Sequence, residues 1–300
     1  VPASLGTDAL GGAINIITKQ EKKNYLDVSY GIGSFHTHKA DLNAQFVEPK
    51  TGLIIRPTVG VNYSKNDYRM KDVQMRDESG DNFIYGNPKR FHDDYFSLLG
   101  QIEIGVANKS WADAFFVSAS YSKTDKELQT GAVQTKVYGM AERNSDAWNI
   151  SAHYQKRNFI LKNMQLNAAL SQTWDHSLTV DTTYRKYYWD GGYIDGQRNE
   201  IMGKERSMRH YKRPLTVVRA NLDYKLNNHH NFNLNYHLSR TGNDRYDDLD
   251  TTFEPSNDVV SKHILGFSYN QSLLEGKMEN VFFIKDYINH PNIRRTDQPS

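Results

Sequence analysis

Apolar and polar residues alternate with a period of two along most of the chain from Asn24 onward. The first run places four large residues on one side, with polar residues or glycine between them: Leu26, Val28, Tyr30 and Ile32. Successive side chains of a β-strand point to opposite faces of a sheet, so this alternation is typical of strands with one apolar face. The pattern recurs in about eleven runs, while helical periodicity is nearly absent. The sequence therefore predicts an all-β protein.

The connections between these runs alternate in length. Short turns are predicted at 48–52, 108–112, 158–163, 227–231 and 274–277. Long polar segments are predicted at 70–94, 131–146, 184–213 and 244–260. Short turns at one end of the strands and long loops at the other are typical of a transmembrane antiparallel β-barrel. The run at 163–183 is also longer than the strands of most soluble β-proteins, which have about five or six residues.

The composition excludes several other classes of protein. The chain has no cysteine, and its 37 basic and 35 acidic side chains nearly cancel. Disulfide chemistry and nucleic-acid binding are therefore not expected. The mean hydropathy is -0.73, and the sequence contains no apolar run long enough for a membrane-spanning helix. Aromatic residues near predicted strand ends fit the interfacial girdles of membrane barrels, and these are Tyr63, Tyr68, Tyr95, Trp111, Tyr121, Trp148 and Trp174.

The first nineteen residues do not follow the strand pattern. They read VPASLGTDALGGAINIITK, with a glycine pair that permits a close backbone approach before a short apolar run. The string resembles the closing segment of the plug domain of TonB-dependent outer-membrane receptors, which reads much like Gly-x-Asp-Ala-x-Gly-Gly-x-Ile-Asn-Ile-x-Thr-Lys. The resemblance implies that five residues pack the last plug strand against its sheet and the barrel wall: Gly6, Asp8, Gly11, Gly12 and Asn15.

The resemblance also implies a fold and a division of the chain. Residues 1–22 are expected to form the C-terminal end of a plug domain, and residues 23–300 the N-terminal half of an outer-membrane β-barrel. The predicted strands would then be about half of a 22-stranded transmembrane antiparallel barrel. The rest of the plug and the energy-coupling segment are expected to precede this chain.

A function at the outer membrane of a Gram-negative bacterium follows from the same resemblance. Receptors of this family import a scarce nutrient by coupling to the TonB complex, and their monomeric barrels are surrounded by outer-membrane lipid. The string from Leu5 to Gly12 is more similar to the branch that imports iron chelates (siderophores), haem or cobalamin. The expected ligand is a small-molecule chelate or another scarce nutrient.

Three alternatives stay open. The first is a TonB-dependent importer of glycans or peptides. The second is a passive porin, which has no plug strand ahead of its first barrel strand. The third is a soluble or surface-anchored glycan-binding adhesin, which predicts compact strands of about five or six residues. The sequence contains no Gly-x-Ser-x-Gly or His-Glu-x-x-His motif, so the chain is not predicted to be an enzyme.

The loop at 184–213 is the candidate ligand-contact segment. It holds eight basic and four acidic residues and is rich in tyrosine. Interleaved cations and aromatic rings suit an anionic or aromatic chelate, through charge-assisted hydrogen bonds and stacking. The alternative is an ordinary loop whose aromatic rings pack among themselves. The residues predicted to contact ligand are Arg185, Lys186, Tyr187, Tyr188, Trp189, Arg206 and Arg209.

Two acidic strings are candidates for calcium in the loops. Neither matches a complete twelve-residue calcium loop, so an ordinary solvated loop is favoured and no cofactor is predicted. Three histidines in or near the long loops, His92, His176 and His210, are candidates for haem ligation, and nothing singles one of them out. The calcium candidates are Asp77 and Asp81 in the first string, and Asp247, Asp248 and Asp250 in the second.

Overall fold

The computed structural model describes residues 23–77, 79, 82–131, 134, 136–201 and 203–295. It is an all-β structure with 69% strand. A 3-10 turn at Leu274–Gly276 is the one helical element among the described residues. The strands are β1 (Tyr25–Gly33), β2 (Thr37–Glu48), β3 (Leu53–Ser64), β4 (Val73–Arg76), β5 (Phe83–Gly86), β6 (Tyr95–Ala107), β7 (Ala114–Glu127), β8 (Glu142–Arg157), β9 (Met164–Asp181), β10 (Arg185–Tyr187), β11 (Tyr193–Asp195), β12 (Ser207–Lys225), β13 (His230–Asp247), β14 (Ser256–Leu273) and β15 (Met278–Arg295).

Eleven of these strands form one antiparallel sheet in the order β1-β2-β3-β6-β7-β8-β9-β12-β13-β14-β15. Strands β4 and β5 form a separate hairpin, as do β10 and β11. The all-β prediction is confirmed. Within the described residues the sheet does not close, because β1 and β15 lie at its two edges. The barrel therefore stays a prediction, and the predicted plug residues Gly6, Asp8, Gly11, Gly12 and Asn15 lie outside the described residues.

The connections at the two ends of the sheet differ in length, as predicted. One end carries the turns 49–52, 108–113, 158–163, 226–229 and 274–277. Asn108, Asn158 and Asn163 adopt positive φ in these turns, a conformation that asparagine tolerates better than most residues. The other end carries the tight turn 34–36 and four longer connections, which we call the first (65–94), second (128–141), third (182–206) and fourth (248–255) loops.

The two faces of the sheet differ in character. Cross-strand partners share a face, and one row of partners is almost entirely apolar: Ile55, Ile104, Val117, Ala152, Leu170, Val218, Leu238, His263 and Ile288. We call this side the apolar face and the opposite side the polar face. Many large side chains of the apolar face are exposed, including Leu170 at 49% and Ile150 at 51%.

The polar face is more sheltered and is held together by side-chain hydrogen bonds. Asn233 and Asn235 are buried, and the Asn221 amide donates to Asn233 at 3.2 Å. The Ser118 and Ser151 hydroxyls, which are cross-strand partners, lie 2.7 Å apart. The sheet therefore shelters amides and hydroxyls while exposing aliphatic side chains, the reverse of the usual arrangement in a soluble protein.

No helix within the described part of the chain has the length and apolar character needed to cross a membrane.

Candidate functional site

The first three long loops pack against one another beyond the sheet. Their shared core consists of Met70 from the first loop, Val137 from the second, and Tyr187 and Trp189 from the third. Partly buried side chains of the first loop extend it. We call this assembly the loop cluster. Because the buried residues of this core come from three different loops, the order of the loops depends on contacts between them.

Backbone pairing reinforces the loop cluster. Val137 forms isolated antiparallel bridges with Thr130 in its own loop and with Tyr187 in the third. The Arg76 amide donates to the Asp190 carboxylate at 3.1 Å, which joins the first loop to the third. The hairpins β4–β5 and β10–β11 thus belong to one connected structure rather than to separate loops.

A buried glutamine joins the first and second loops. Gln129 is 1% exposed, and its side-chain carbonyl accepts from the Phe91 and His92 amides at 2.7 and 3.0 Å. Its amide nitrogen donates to the Tyr138 carbonyl at 2.7 Å. His92 adds a ring contact of 2.8 Å between its Nε2 and the Ala141 carbonyl. A buried amide with its main hydrogen-bonding groups satisfied fixes one arrangement of these backbones.

One buried carboxylate, Glu200, joins the third loop to the second, and another, Asp181, holds the third loop at the end of β9. The Glu200 side chain accepts from the Gly139 amide at 2.6 Å and from the Met140 amide at 3.1 Å. Asp181 accepts from the Glu200 and Ile201 amides at 2.8 and 2.7 Å. Burial raises the pKa of Glu200, and the nearby Asp181 charge adds to this effect, although the two backbone donors oppose it.

A buried arginine holds the first loop beside this core. Arg90 Nε lies 2.8 Å from the Asp93 carboxylate, and the guanidinium lies 5.0 Å from the Tyr68 ring centre. It also lies 5.9 Å from the Trp189 ring centre. Asp93 also accepts a charge-assisted hydrogen bond from Lys126 at 2.5 Å. The charge of Arg90 is therefore balanced within the protein.

The structure divides the predicted ligand-contact residues into two groups. Tyr187, Tyr188 and Trp189 are 7%, 7% and 5% exposed and pack in or against the loop cluster. This is the packing of aromatic rings among themselves that the sequence left as the alternative. The cations lie further out: Lys186 and Arg206 are exposed, and Arg185 lies over the Tyr193 ring at 4.0 Å. Ligand contact by this segment stays a prediction.

Arg209, the seventh of these residues, lies in β12 beside the fourth loop. Its guanidinium is 3.2 Å from Asp247 and 3.3 Å from Asp250, and it stacks over the Phe253 ring at 4.0 Å. Strand β12 begins at Ser207, so the predicted loop 184–213 ends earlier than expected. Backbone pairing continues beyond the apolar positions, because ladder hydrogen bonds do not require an apolar face.

The calcium candidates of the second string are engaged within the protein. Burial alone would raise the pKa of Asp247, yet hydrogen bonds from the Ser207 hydroxyl and from backbone amides lower it below its usual range. Asp248 lies 3.0 Å from His210. Asp81 of the first string lies outside the described residues. Across the described positions, no group of three or more His, Cys, Asp or Glu is placed to hold a metal ion.

Two of the haem-ligand candidates meet on the apolar face near the loop end. His176 Nε2 lies 2.9 Å from His210 Nδ1, and the two rings stack at 5.2 Å. Asp146 lies 3.4 Å from His176 at one end of this chain, and Asp248 contacts His210 at the other. The sequence signalled neither this arrangement nor the roles of Gln129, Asp181 and Glu200, because the partners lie on different strands and loops.

Comparison with known proteins does not assign the chain to a family. No model of a known protein family matches the chain, and no curated protein matches it significantly. The described residues define an all-β protein built on one large antiparallel sheet, with interlocked loops at one end.

Proposed function

We propose that the chain is part of a TonB-dependent outer-membrane receptor that imports an iron chelate, haem or cobalamin. The observation that carries the proposal is the inverted sheet, with an exposed apolar face and a hydrogen-bonded polar face. Membrane barrels expose apolar side chains to lipid and enclose a polar interior. A soluble sandwich would instead bury the apolar face against a second layer.

The two free edges favour closure of this sheet by further strands. Strands β1 and β15 carry exposed apolar side chains, including Ile32 at 73% and Ile284 at 69%. Open sheet edges are not tolerated within the hydrocarbon core, because their backbone groups would lack hydrogen-bond partners there. In the proposed receptor, strands beyond those described here pair with both edges and complete the barrel.

Aromatic residues mark both ends of the apolar band. Tyr121 and Trp148 lie at the loop end, with ring centres 4.7 Å apart. Trp111 and Phe115 lie at the turn end, with ring centres 5.6 Å apart. Tyr154, the cross-strand partner of Phe115, lies six residues after Trp148 on β8. This spacing corresponds to about 20 Å along a strand, close to the height of the apolar band of membrane barrels. The rings fit interfacial girdles.

The loops and the first nineteen residues favour a receptor over a passive pore. Lys186 and Arg206 present exposed cations around the loop cluster, suited to an anionic chelate. The resemblance of Val1–Lys19 to a plug-closing strand favours a gated barrel. Capture by the loops would be followed by passage past the plug when the TonB complex pulls on a segment N-terminal to this chain.

The proposal is tested by uptake in a strain that lacks the full-length gene. Ferric chelates, haem and cobalamin are supplied in turn, with and without a protonophore. We expect loss of one uptake activity, restored by the wild-type gene and abolished by the protonophore. Unchanged uptake of every compound, or a lost activity that is insensitive to the protonophore, would contradict the proposal and favour an adhesin or a porin.

A pair of complementing variants locates the capture site. The double substitution Lys186→Ala and Arg206→Ala removes two exposed cations at the loop end and should weaken binding of an anionic chelate by about tenfold or more. The matched control, Lys162→Ala with Lys277→Ala, removes two cations from the short turns at the opposite end. If the two double variants weaken chelate binding equally, Lys186 and Arg206 do not form the capture site.

A further inference from the structure

A cleft of about 520 Å³ opens on the apolar face, in the half of the sheet nearer the long loops. It spans β8, β9, β12, β13 and β14 and lies apart from the loop cluster. Its floor is formed by Trp148 and Trp174, which are cross-strand partners. Their side chains are 55% and 49% exposed, unusually open for tryptophan. The floor is therefore a pair of adjacent aromatic rings open to the outside.

A proline and a glycine shape the next part of the cleft. Pro214 is the cross-strand partner of Trp174. The pairing of β12 with β13 breaks at this point, between Lys212 opposite Asp244 and Leu215 opposite Thr241. Proline has no amide proton for the ladder, which accounts for the break. A Cβ on Gly242 would lie 2.8 Å from Pro214 Cγ, so only glycine fits beside the proline ring.

Polar groups line the cleft on its loop side. Asp146 and His176 are cross-strand partners two residues from the tryptophans, and therefore share their face. Lys212 and Asp244 continue this row on β12 and β13. The Lys212 ammonium also lies 4.9 Å from the Tyr246 ring centre. An aromatic floor thus meets a rim of carboxylates, an imidazole and an ammonium.

The chemistry of this lining selects one class of ligand. The charged lining groups on the face of the tryptophans are Asp146, Asp244 and Lys212, so carboxylates outnumber the ammonium two to one and disfavour an anion. Lys212 disfavours an ammonium ligand. A purely apolar ligand would desolvate the rim without replacing its hydrogen bonds. A neutral sugar ring satisfies both parts, because its C–H face stacks on aromatic rings and its hydroxyls both donate and accept hydrogen bonds.

We infer that this cleft binds a neutral saccharide ring, with Trp148 and Trp174 as the stacking floor and Asp146 and Asp244 accepting from its hydroxyls. Such a ring belongs either to a free saccharide or to the headgroup of a glycolipid whose acyl chains lie along the apolar face. The inference does not depend on transport. A place in an interfacial girdle is compatible with this role, whereas a girdle role alone would give no dependence on saccharide.

The test uses the full-length protein in a polyoxyethylene detergent, because sugar-based detergents would compete for the cleft. Tryptophan fluorescence and saturation-transfer NMR are recorded with methyl hexosides, methyl N-acetylhexosaminides and a hexose phosphate. A second arm uses phosphatidylcholine vesicles with and without a hexosyl glycolipid. Trp174→Ala and Asp244→Asn are compared with Trp111→Ala, which removes an equally exposed tryptophan at the opposite end of the sheet.

We expect both cleft variants to weaken saccharide binding by about tenfold and Trp111→Ala to leave it unchanged. Binding of the methyl glycosides would identify a free saccharide as sufficient, and binding of the glycolipid alone would identify a lipid headgroup. The inference is overturned if no sugar binds, if hexose phosphate binds as well as the neutral sugars, or if the control variant loses binding equally. A circular dichroism spectrum of Asp244→Asn that matches the wild-type spectrum excludes misfolding as the cause of weaker binding.

Discussion

Burial of the ionised Glu200 carboxylate lowers the stability of the folded loops. Glu200 is 2% exposed, and burial raises its pKa. A carboxyl group whose pKa is raised on folding binds its proton more tightly in the folded state than in the unfolded state. Its contribution to stability is therefore greatest below the ordinary glutamate pKa and declines as the pH rises towards the raised value. The loop cluster should loosen over that interval.

Substitution Glu200→Gln should remove this pH dependence. The neutral amide keeps one acceptor for the Gly139 and Met140 amides, so the loops stay joined but lose about 1 kcal/mol from the missing hydrogen bond. The measurement is the hydrogen-exchange protection factor of these two amides across the pH range from the ordinary glutamate pKa upward. Glu205→Gln, in the same loop, is the control. A wild-type profile as flat as that of Glu200→Gln would contradict the account.

Gly242 is required by the ring of Pro214, not by a turn. Gly242→Ala places Cβ 2.8 Å from Pro214 Cγ, and the clash should lower the free energy of unfolding by about 1 to 3 kcal/mol. Gly100→Ala is the control, because nothing lies within 4 Å of its added Cβ. The double variant Gly242→Ala with Pro214→Ala should recover most of the loss. Denaturant unfolding of the wild type and these three variants measures this, and a double variant no more stable than Gly242→Ala would exclude the clash as the cause.

At the scale of the strands, adjacent residues on β12 separate the two faces. Val218 belongs to the apolar row between Leu170 and Leu238, whereas Val217 lies on the polar face between Ser171 and Ser239. In the proposed membrane barrel, a lysine on the lipid side costs about 2 to 4 kcal/mol near the bilayer midplane, while the lumen side tolerates it. The two positions are therefore a matched pair in one strand.

We expect Val218→Lys to reduce the folded, membrane-inserted fraction and Val217→Lys to leave it near the wild-type level. Heat-modifiable migration in electrophoresis reports the folded fraction after outer-membrane fractionation. A soluble sheet protein would show no such preference for sides, since both valines are half-buried. Equal tolerance at the two positions would count against a lipid-facing surface.

Period-two alternation predicted the strands well because side-chain direction in a sheet is a local property. The short turns and the all-β class followed from the same signal. The ends of the strands did not follow from this signal. Strands β8, β12 and β14 begin within segments predicted as loops, because backbone pairing extends past the apolar positions. The loop cluster was also beyond prediction, since Gln129, Asp181 and Glu200 act on backbone amides that lie far away in sequence or in other loops. Only folding brings those groups together.

At the scale of the whole molecule, the sorting of connections gives the sheet two distinct ends. The end with the short turns has little structure beyond the strands, whereas the other end carries the interlocked loops and the exposed cations. The saccharide cleft also opens towards the loop end. In the proposed receptor this end faces the exterior of the cell and the short turns face the periplasm.

This orientation is tested with single cysteines, because the chain contains none of its own. Lys204→Cys places a thiol on the exposed third loop, and Lys162→Cys places one in an exposed short turn at the opposite end. A membrane-impermeant maleimide applied to intact cells should label the first variant, and should label the second only after the outer membrane is permeabilised. Labelling of Lys162→Cys alone in intact cells would show the opposite orientation, with the short turns facing the exterior of the cell. Equal labelling of both variants in intact cells would show that no membrane separates the two ends of the sheet. This result would contradict the proposed transmembrane barrel.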